Sequence, residues 1–182
     1  MTRKVQITVI GDSIEIETNN KIAYDIGKFI AEKGWVLING GRAGVMESSA
    51  RGASDAGGII VSITPDDDLF SANEFSTITI PSGMGFARNM TNVLAGDVIV
   101  GIGGGAGTLS EIGYAWCYRK PIIVAEWSQG WSSKLADTTL DHRHNMKLVG
   151  AKDMDALKKI LEETVNNLDY LNKPYIAGKS RE

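Results

Sequence analysis

Short apolar runs alternate along the chain with stretches in which apolar residues recur every three or four positions. The runs are rich in Val and Ile, end at glycine, proline or polar residues, and predict β-strands. These strands are expected over residues 5–10, 35–38, 59–63, 76–80, 97–100, 121–125 and 146–149. The periodic stretches predict helices over residues 21–33, 45–56, 84–94, 108–118 and 154–168.

Most of the predicted strands are continuously apolar, which is typical of strands that are buried on both faces. Together with the alternating helices, this predicts an α/β fold: a Rossmann-like, doubly wound, mostly parallel sheet with helices on both faces. One domain is expected over residues 1–170, followed by a polar C-terminal tail over 171–182. Sheets of this kind bind ligands at the carboxyl ends of their strands, near the point where the strand order reverses.

Composition and charge argue against nucleic-acid and membrane partners. The 182 residues carry a net charge of −3 and no basic run, so we expect no nucleic-acid partner. No apolar stretch approaches the ~20 residues of a membrane span, and no signal peptide precedes the first strand, so no membrane partner and a cytoplasmic location are expected. Cys117 lies among apolar residues of a predicted helix and is expected to be a buried thiol.

Glycine is concentrated after the predicted strand over 97–100, where a helix begins. Because glycine has no side chain, backbone N–H groups of such a loop can approach an anion, and the helix dipole adds a partial positive charge. The candidate phosphate-binding residues are Gly103, Gly104, Gly105, Ala106, Gly107 and Thr108. The alternative is a tight turn without a ligand, but a turn needs fewer glycines, since each one weakens the local backbone.

Glu111 follows this loop and has two interpretations. In the first, Thr108 caps the helix and Glu111 reaches back to its N–H, as the spacing Thr-x-x-Glu allows. In the second, Glu111 faces the anion pocket, where its carboxylate binds a ribose hydroxyl or acts as a base.

Other polar residues lie close to predicted strand ends or helix starts. Arg88 is a candidate for a bidentate phosphate contact, the alternative being a solvated surface arginine. Asn89 and Asn92 share its helix and offer amide groups. The loops after the first two strands contribute the candidate contacts Gly11, Asp12, Ser13, Gly40, Gly41, Arg42 and Gly44, the alternative for the second loop being a structural turn.

Three further patterns support weaker hypotheses. Residues 101–106 fit G-x-G-x-x-A, and Glu126 ends a strand about 20 residues later, which imitates an NAD-type dinucleotide site. His142 and His144 do not suffice for a metal site, so no metal is expected. Trp127 and Trp131 are expected either to stack on a flat ring or to pack at a dimer seam.

The same motifs resemble a known family over residues 4–165. The segment from Gly103 to Glu111 is similar to the pattern P-G-G-x-G-T-x-x-E of the Lonely Guy and "possible lysine decarboxylase" proteins, a superfamily that includes molybdenum cofactor carrier proteins. Residues 40–46 resemble the second glycine loop of that superfamily. Arg88 and Asn89 stand where Lonely Guy enzymes carry Arg-Lys.

The resemblance implies two functions. Lonely Guy enzymes are phosphoribohydrolases that release the base from cytokinin nucleoside monophosphates, which would make Arg88 and Glu111 the catalytic pair. Gly103 in place of proline and Asn89 in place of lysine look more like the carrier branch, which binds the molybdopterin phosphate. The resemblance therefore implies a carrier of a nucleotide or the molybdenum cofactor, with no required cofactor, and a homodimer or higher homo-oligomer; the hydrolase and the dinucleotide module remain alternatives.

Overall fold

The computed structural model describes residues 3–142 and 146–168, and these form a seven-stranded sheet with helices on both faces. The strands are β1 (Gln6–Gly11), β2 (Val36–Asn39), β3 (Ile59–Thr64), β4 (Ile78–Pro81), β5 (Val98–Ile102), β6 (Ile122–Ala125) and β7 (Val149–Ala151). The helices are α1 (Glu17–Glu32), α2 (Val45–Asp55), α3 (Arg88–Ala95), α4 (Ala106–Cys117), α5 (Trp131–Lys134) and α6 (Met154–Asn166), and a 3-10 turn (Gly85–Ala87) precedes α3.

The strand order is β4-β3-β2-β1-β5-β6-β7, and every described strand pair is parallel. The predicted Rossmann-like doubly wound fold is therefore confirmed, with the described sheet entirely rather than mostly parallel. The chain first builds the sheet outward from β1 to β4 and then returns to pair β5 with the other side of β1. This reversal places the ends of β1 and β5 side by side, with Gly11 opposite Ile102.

Alternate side chains of the central strands pack against the two helical layers, because successive residues of a strand point to opposite faces. In β5, Val98, Val100 and Ile102 join the apolar cluster that contains α1, α2 and α6. Ile99 joins the cluster that contains Ile112 and other residues of α3 and α4. Within residues 3–142 and 146–168, none of the helices combines the length and hydropathy that crossing a bilayer requires.

Two strands start more than one residue away from their predicted positions. β4 starts at Ile78 rather than at residue 76, where the hydroxyl of Ser76 instead bonds that of Ser62 at 2.6 Å. The last strand lies at Val149–Ala151 rather than over 146–149, because Leu148 pairs its backbone with the segment 137–138.

Three predictions about helices also need correction. The helix predicted over 84–94 opens as a 3-10 turn, since Gly83 and Gly85 have φ of 63° and 54°. The short helix α5 was not predicted. Cys117 is exposed rather than buried, because it lies on the side of α4 that faces away from the sheet.

Candidate functional site

A cleft of about 310 Å³ opens at the carboxyl edge of the sheet, beyond the paired ends of β1 and β5. Its walls come from the loop after β1, from the loop after β2, from the start of α3 and from the start of α4. It is lined by Val9, Ile10, Gly11, Asp12, Ser13, Ile14, Gly40, Met46, Phe86, Arg88, Asn89, Gly105, Ala106, Gly107, Thr108 and Glu111. The volume lies at the lower end of the range, about 300–1,000 Å³, that is typical of small-molecule sites.

The backbone N–H groups at the start of α4 are available to a ligand. Gly103 is the exception, because its N–H donates to the Ser128 hydroxyl at 2.9 Å. In the described part of the chain, the N–H groups from Gly104 to Thr108 have no hydrogen-bond acceptor. Since the dipole of α4 points the same way, these groups form an anion-binding helix start.

Two glycines of this loop provide space for a ligand and are not required by a left-handed backbone conformation. Neither Gly105 nor Gly107 has a positive φ. A Cβ on Gly105 would meet nothing within 4 Å, and one on Gly107 would lie 3.9 Å from the Asn89 amide nitrogen. Because both line the cleft, the absence of their side chains enlarges the room beside the free N–H groups.

The side chain of Arg88 lies at the base of the cleft and is only 8% exposed. Its guanidinium donates to the Asn89 side-chain oxygen at 3.1 Å and to the Gly40 carbonyl at 3.4 Å. A Cβ on Gly40 would lie 2.5–2.7 Å from that guanidinium, so this close approach requires glycine. Burial lowers the pKa of Arg88, and the neighbouring Glu111 opposes that shift.

Glu111 faces Arg88 from the first half of α4, and 3.7 Å separates Oε1 of Glu111 from Nη1 of Arg88. The Asn92 amide also donates to this carboxyl group at 3.3 Å. Burial raises the pKa of Glu111 to about 7, although Arg88 and the Asn92 hydrogen bond both lower it. The carboxyl group therefore changes charge near neutral pH.

The capping-box interpretation of Glu111 is wrong. α4 begins at Ala106, and its N-cap is Gly105, which makes no side-chain hydrogen bond. The Thr108 hydroxyl donates to the Gly11 carbonyl at 3.0 Å instead of capping the helix. This bond ties α4 to the end of β1, so both sides of the cleft are fixed relative to one another.

Two of the remaining predicted contacts in the cleft, Asp12 and Asn89, form hydrogen bonds with neighbouring side chains. Asp12 accepts a hydrogen bond from the buried amide of Asn19 at 2.8 Å, while Ser13 is exposed. Asn89 donates to the Ser110 hydroxyl at 2.9 Å, so it links the start of α3 to α4.

Other predicted residues do not line the cleft. The guanidinium of Arg42 pairs with Asp66 at 2.9 Å on the surface. The glycines that shape the adjoining loops without lining the cleft are Gly41, Gly44, Gly103 and Gly104. Glu126, Trp127, Trp131 and His142 also lie outside the lining, and His144 lies outside the described residues.

The sequence did not indicate the apolar residues that line the cleft. Val9, Ile10 and Met46 are ordinary core residues by pattern, and nothing in the sequence marks them as cleft residues. Phe86 shares the helical spacing of Met90 and Val93, so the sequence does not mark it as a cleft residue either.

A second groove, of about 590 Å³, lies beside the start of α1 and is lined by Glu15, Glu17, Asn20, Lys21, Tyr24 and Arg51. Both signs of charge are mixed along it, and its Tyr24 hydroxyl already bonds Asp55 at 2.8 Å. It is larger than the cleft, but its arginine, Arg51, is exposed, whereas Arg88 of the cleft is buried. The cleft between β1 and β5 is therefore the better candidate site.

Residues 4–157 match the model of the SLOG cluster4 family, and the chain belongs to this family. The match includes every residue that lines the cleft. The predicted resemblance to the Lonely Guy-like superfamily is thus confirmed.

Individual relatives agree with this assignment. The molybdenum cofactor binding protein of the phototrophic bacterium Rippkaea orientalis is 34% identical and superposes with a TM-score of 0.79, over 90% of this chain and 98% of that one. The molybdenum cofactor carrier protein of Chlamydomonas reinhardtii is 30% identical, with a TM-score of 0.78 over 91% and 100%. A cytokinin riboside 5'-monophosphate phosphoribohydrolase of Mycobacterium tuberculosis is 27% identical over 65% of this chain and 71% of that protein.

Proposed function

We propose that this protein binds and carries a small phosphorylated heterocyclic compound, a nucleotide or the molybdenum cofactor, in the cleft between β1 and β5. One observation carries the proposal: the N–H groups from Gly105 to Thr108 lack acceptors and border the same cleft as the buried guanidinium of Arg88. Backbone donors and an arginine fork are the groups that proteins use to hold a phosphate.

The charges of the cleft suit a dianion. Arg88 is buried, and two hydrogen bonds to protein are described for its guanidinium, which has five N–H donors, so donor capacity is left for a ligand. Two acidic residues line the cleft, Asp12 and Glu111, and burial raises the pKa of Glu111 to about 7. At or below neutral pH, much of the repulsion between Glu111 and a phosphate is therefore removed.

The relatives support the heterocyclic part of the proposal. Two of the solved structures to which this chain is similar are a molybdenum cofactor binding protein and a molybdenum cofactor carrier protein. Both are covered almost completely by this chain, so the alignment spans the loops and helix starts that line the cleft as well as the sheet.

The test compares each ligand with its dephosphorylated form by isothermal titration calorimetry. The pairs are AMP with adenosine, GMP with guanosine, and the phosphate ester of 6-hydroxymethylpterin with 6-hydroxymethylpterin itself. A charged hydrogen-bond network contributes about 1.5–3 kcal/mol per bond, so we expect at least one phosphorylated compound to bind about tenfold or more tightly than its partner. Equal affinities throughout, or no binding of any phosphorylated compound, would contradict the proposal.

A second candidate function is cleavage of a nucleoside 5'-monophosphate. Glu111 and Arg88 favour it, because a carboxylate 3.7 Å from a guanidinium at the base of a cleft can stabilise the positive charge that develops on the sugar. In this reaction water adds to the sugar carbon, the N-glycosidic bond breaks, and the base leaves with a proton. The distant phosphoribohydrolase relative gives the same indication.

The same ligand mixtures distinguish the two functions. After the calorimetry, chromatography of the AMP and GMP samples shows whether free base and ribose 5-phosphate have formed. A carrier returns the nucleotide intact. Base release that disappears in the Glu111→Gln variant would replace the carrier proposal with the hydrolase.

A further inference from the structure

Phe86 is almost fully exposed although it is a large aromatic residue. Its exposed fraction is 88%, and it lines the mouth of the cleft two residues before Arg88. Single exposed apolar residues are common, but Phe86 differs from Phe70, which is 93% exposed, because Phe86 lines the cleft.

The backbone that holds Phe86 is fixed. The N–H of Gly85 donates to the Pro65 carbonyl at 3.0 Å, and that of Gly83 donates to the Asp66 carbonyl at 2.8 Å. Both glycines have a positive φ, and a Cβ would meet no steric obstacle closer than 3.8 Å, so they are needed for the turn itself. The turn therefore presents Phe86 at a defined place.

The cleft is divided into an apolar mouth and a polar base. Ile14, from the loop after β1, lines the cleft and is 65% exposed, as expected of a second rim residue. By contrast, Arg88, Thr108 and Glu111 are buried. A ligand that fits both parts has an anionic group at one end and a flat apolar surface at the other.

We infer that Phe86 packs against the face of a heteroaromatic ring while the phosphate of the same ligand occupies the base of the cleft. The inference rests on the proposed function and narrows the ligand class to phosphate esters that carry a flat ring, as opposed to sugar phosphates. Ring-on-ring contacts are favourable and tolerate different heterocycles, because every such ring has a π-face. Trp127 and Trp131, for which ring stacking was one of two alternatives from the sequence, do not line the cleft.

The test compares Phe86→Ala with Phe86→Trp, using AMP, GMP, the phosphate ester of 6-hydroxymethylpterin and ribose 5-phosphate as ligands. Phe70→Ala is the matched control, since Phe70 is 93% exposed and lies outside the lining. We expect Phe86→Ala to weaken the ring-bearing ligands by about tenfold and to leave ribose 5-phosphate unchanged. Phe86→Trp should retain the affinity of the parent protein, and Phe70→Ala should change nothing.

Each contrary result has its own meaning. If Phe86→Ala leaves the affinity for ring-bearing ligands intact, the ring contact is wrong and the proposed function stands. If it weakens ribose 5-phosphate by the same factor, Phe86 shapes the phosphate site and does not bind a ring. If the parent protein binds none of the four compounds, the inference and the proposed function both fail.

Discussion

At the scale of single residues, the pair of Arg88 and Glu111 decides the chemistry of the cleft. Both side chains are buried, they lie 3.7 Å apart, and the pKa of Glu111 is about 7. Two buried charges are costly unless each is compensated, and here the carboxyl group can take up a proton instead. The site thus keeps a permanent cation beside a group whose charge depends on pH.

The raised pKa of Glu111 predicts a pH-dependent stability. Between the ordinary carboxyl value of 4.5 and about 7, the folded state holds a proton that the unfolded state has released. The free energy of unfolding therefore falls as pH rises through this window, by up to about 3 kcal/mol from this group. Glu111→Gln cannot lose that proton, so its stability should fall less than that of the parent between pH 5 and pH 8.

Urea unfolding of both proteins at half-unit pH steps measures this difference. All other titrating groups are shared, so subtracting one curve from the other isolates residue 111. Parallel curves between pH 5 and pH 8 would show that the Glu111 carboxyl group is ionised throughout this range, so that its pKa in the folded protein is not raised.

At the scale of secondary-structure elements, the glycines of α4 affect two properties, the stability of the helix and the affinity for a ligand. Gly107 lies in the first turn of α4 and lines the cleft, whereas Gly113 lies further along the same helix and outside the lining. A Cβ would meet no close obstacle at either position. One helix therefore offers a glycine beside the ligand and a glycine away from it.

Gly107→Ala should raise stability and lower affinity at the same time. Alanine is favoured over glycine within helices by up to about 1 kcal/mol, so both Gly107→Ala and Gly113→Ala should unfold at slightly higher urea concentration. Only the methyl group at 107 enters the cleft, so only that variant should lose affinity for the phosphorylated ligand that binds best. Equal affinity of the two variants would show that phosphate does not approach the start of α4.

The elements also show where the sequence was insufficient. The central strands and the amphipathic helices were predicted because burial on both faces or on one stripe leaves a clear periodic pattern. α5 was missed because it is a single turn whose N–H groups, at Trp131 and Ser132, donate to the carbonyls of Gly104 and Gly103. Such a helix depends on a partner that is about 28 residues away in the chain, and local pattern does not contain that information.

At the scale of the whole molecule, the strand order assembles the site. Arg88 and Glu111 come from different helices, and they meet because β5, between those helices in the chain, returns to pair with β1.

The sequence indicated the glycine loops and both residues, since their types and positions are typical of a phosphate site. It did not indicate that Arg42 pairs with Asp66 away from the cleft, because side-chain pairing depends on tertiary distance. The homo-oligomer stays a prediction.

The position of the cleft predicts where a ligand changes backbone exchange. The N–H groups from Gly104 to Thr108 have no acceptor in the described structure, so in the free protein they should exchange rapidly with deuterium. A phosphate that accepts hydrogen bonds from them should slow this exchange, and AMP at saturating concentration is the ligand to test first. Exchange in α6, which lies far along the chain on the other face, should slow only as much as global stability rises. If AMP instead protects α6 or β4 and leaves residues 104–108 unchanged, the ligand does not bind at the start of α4.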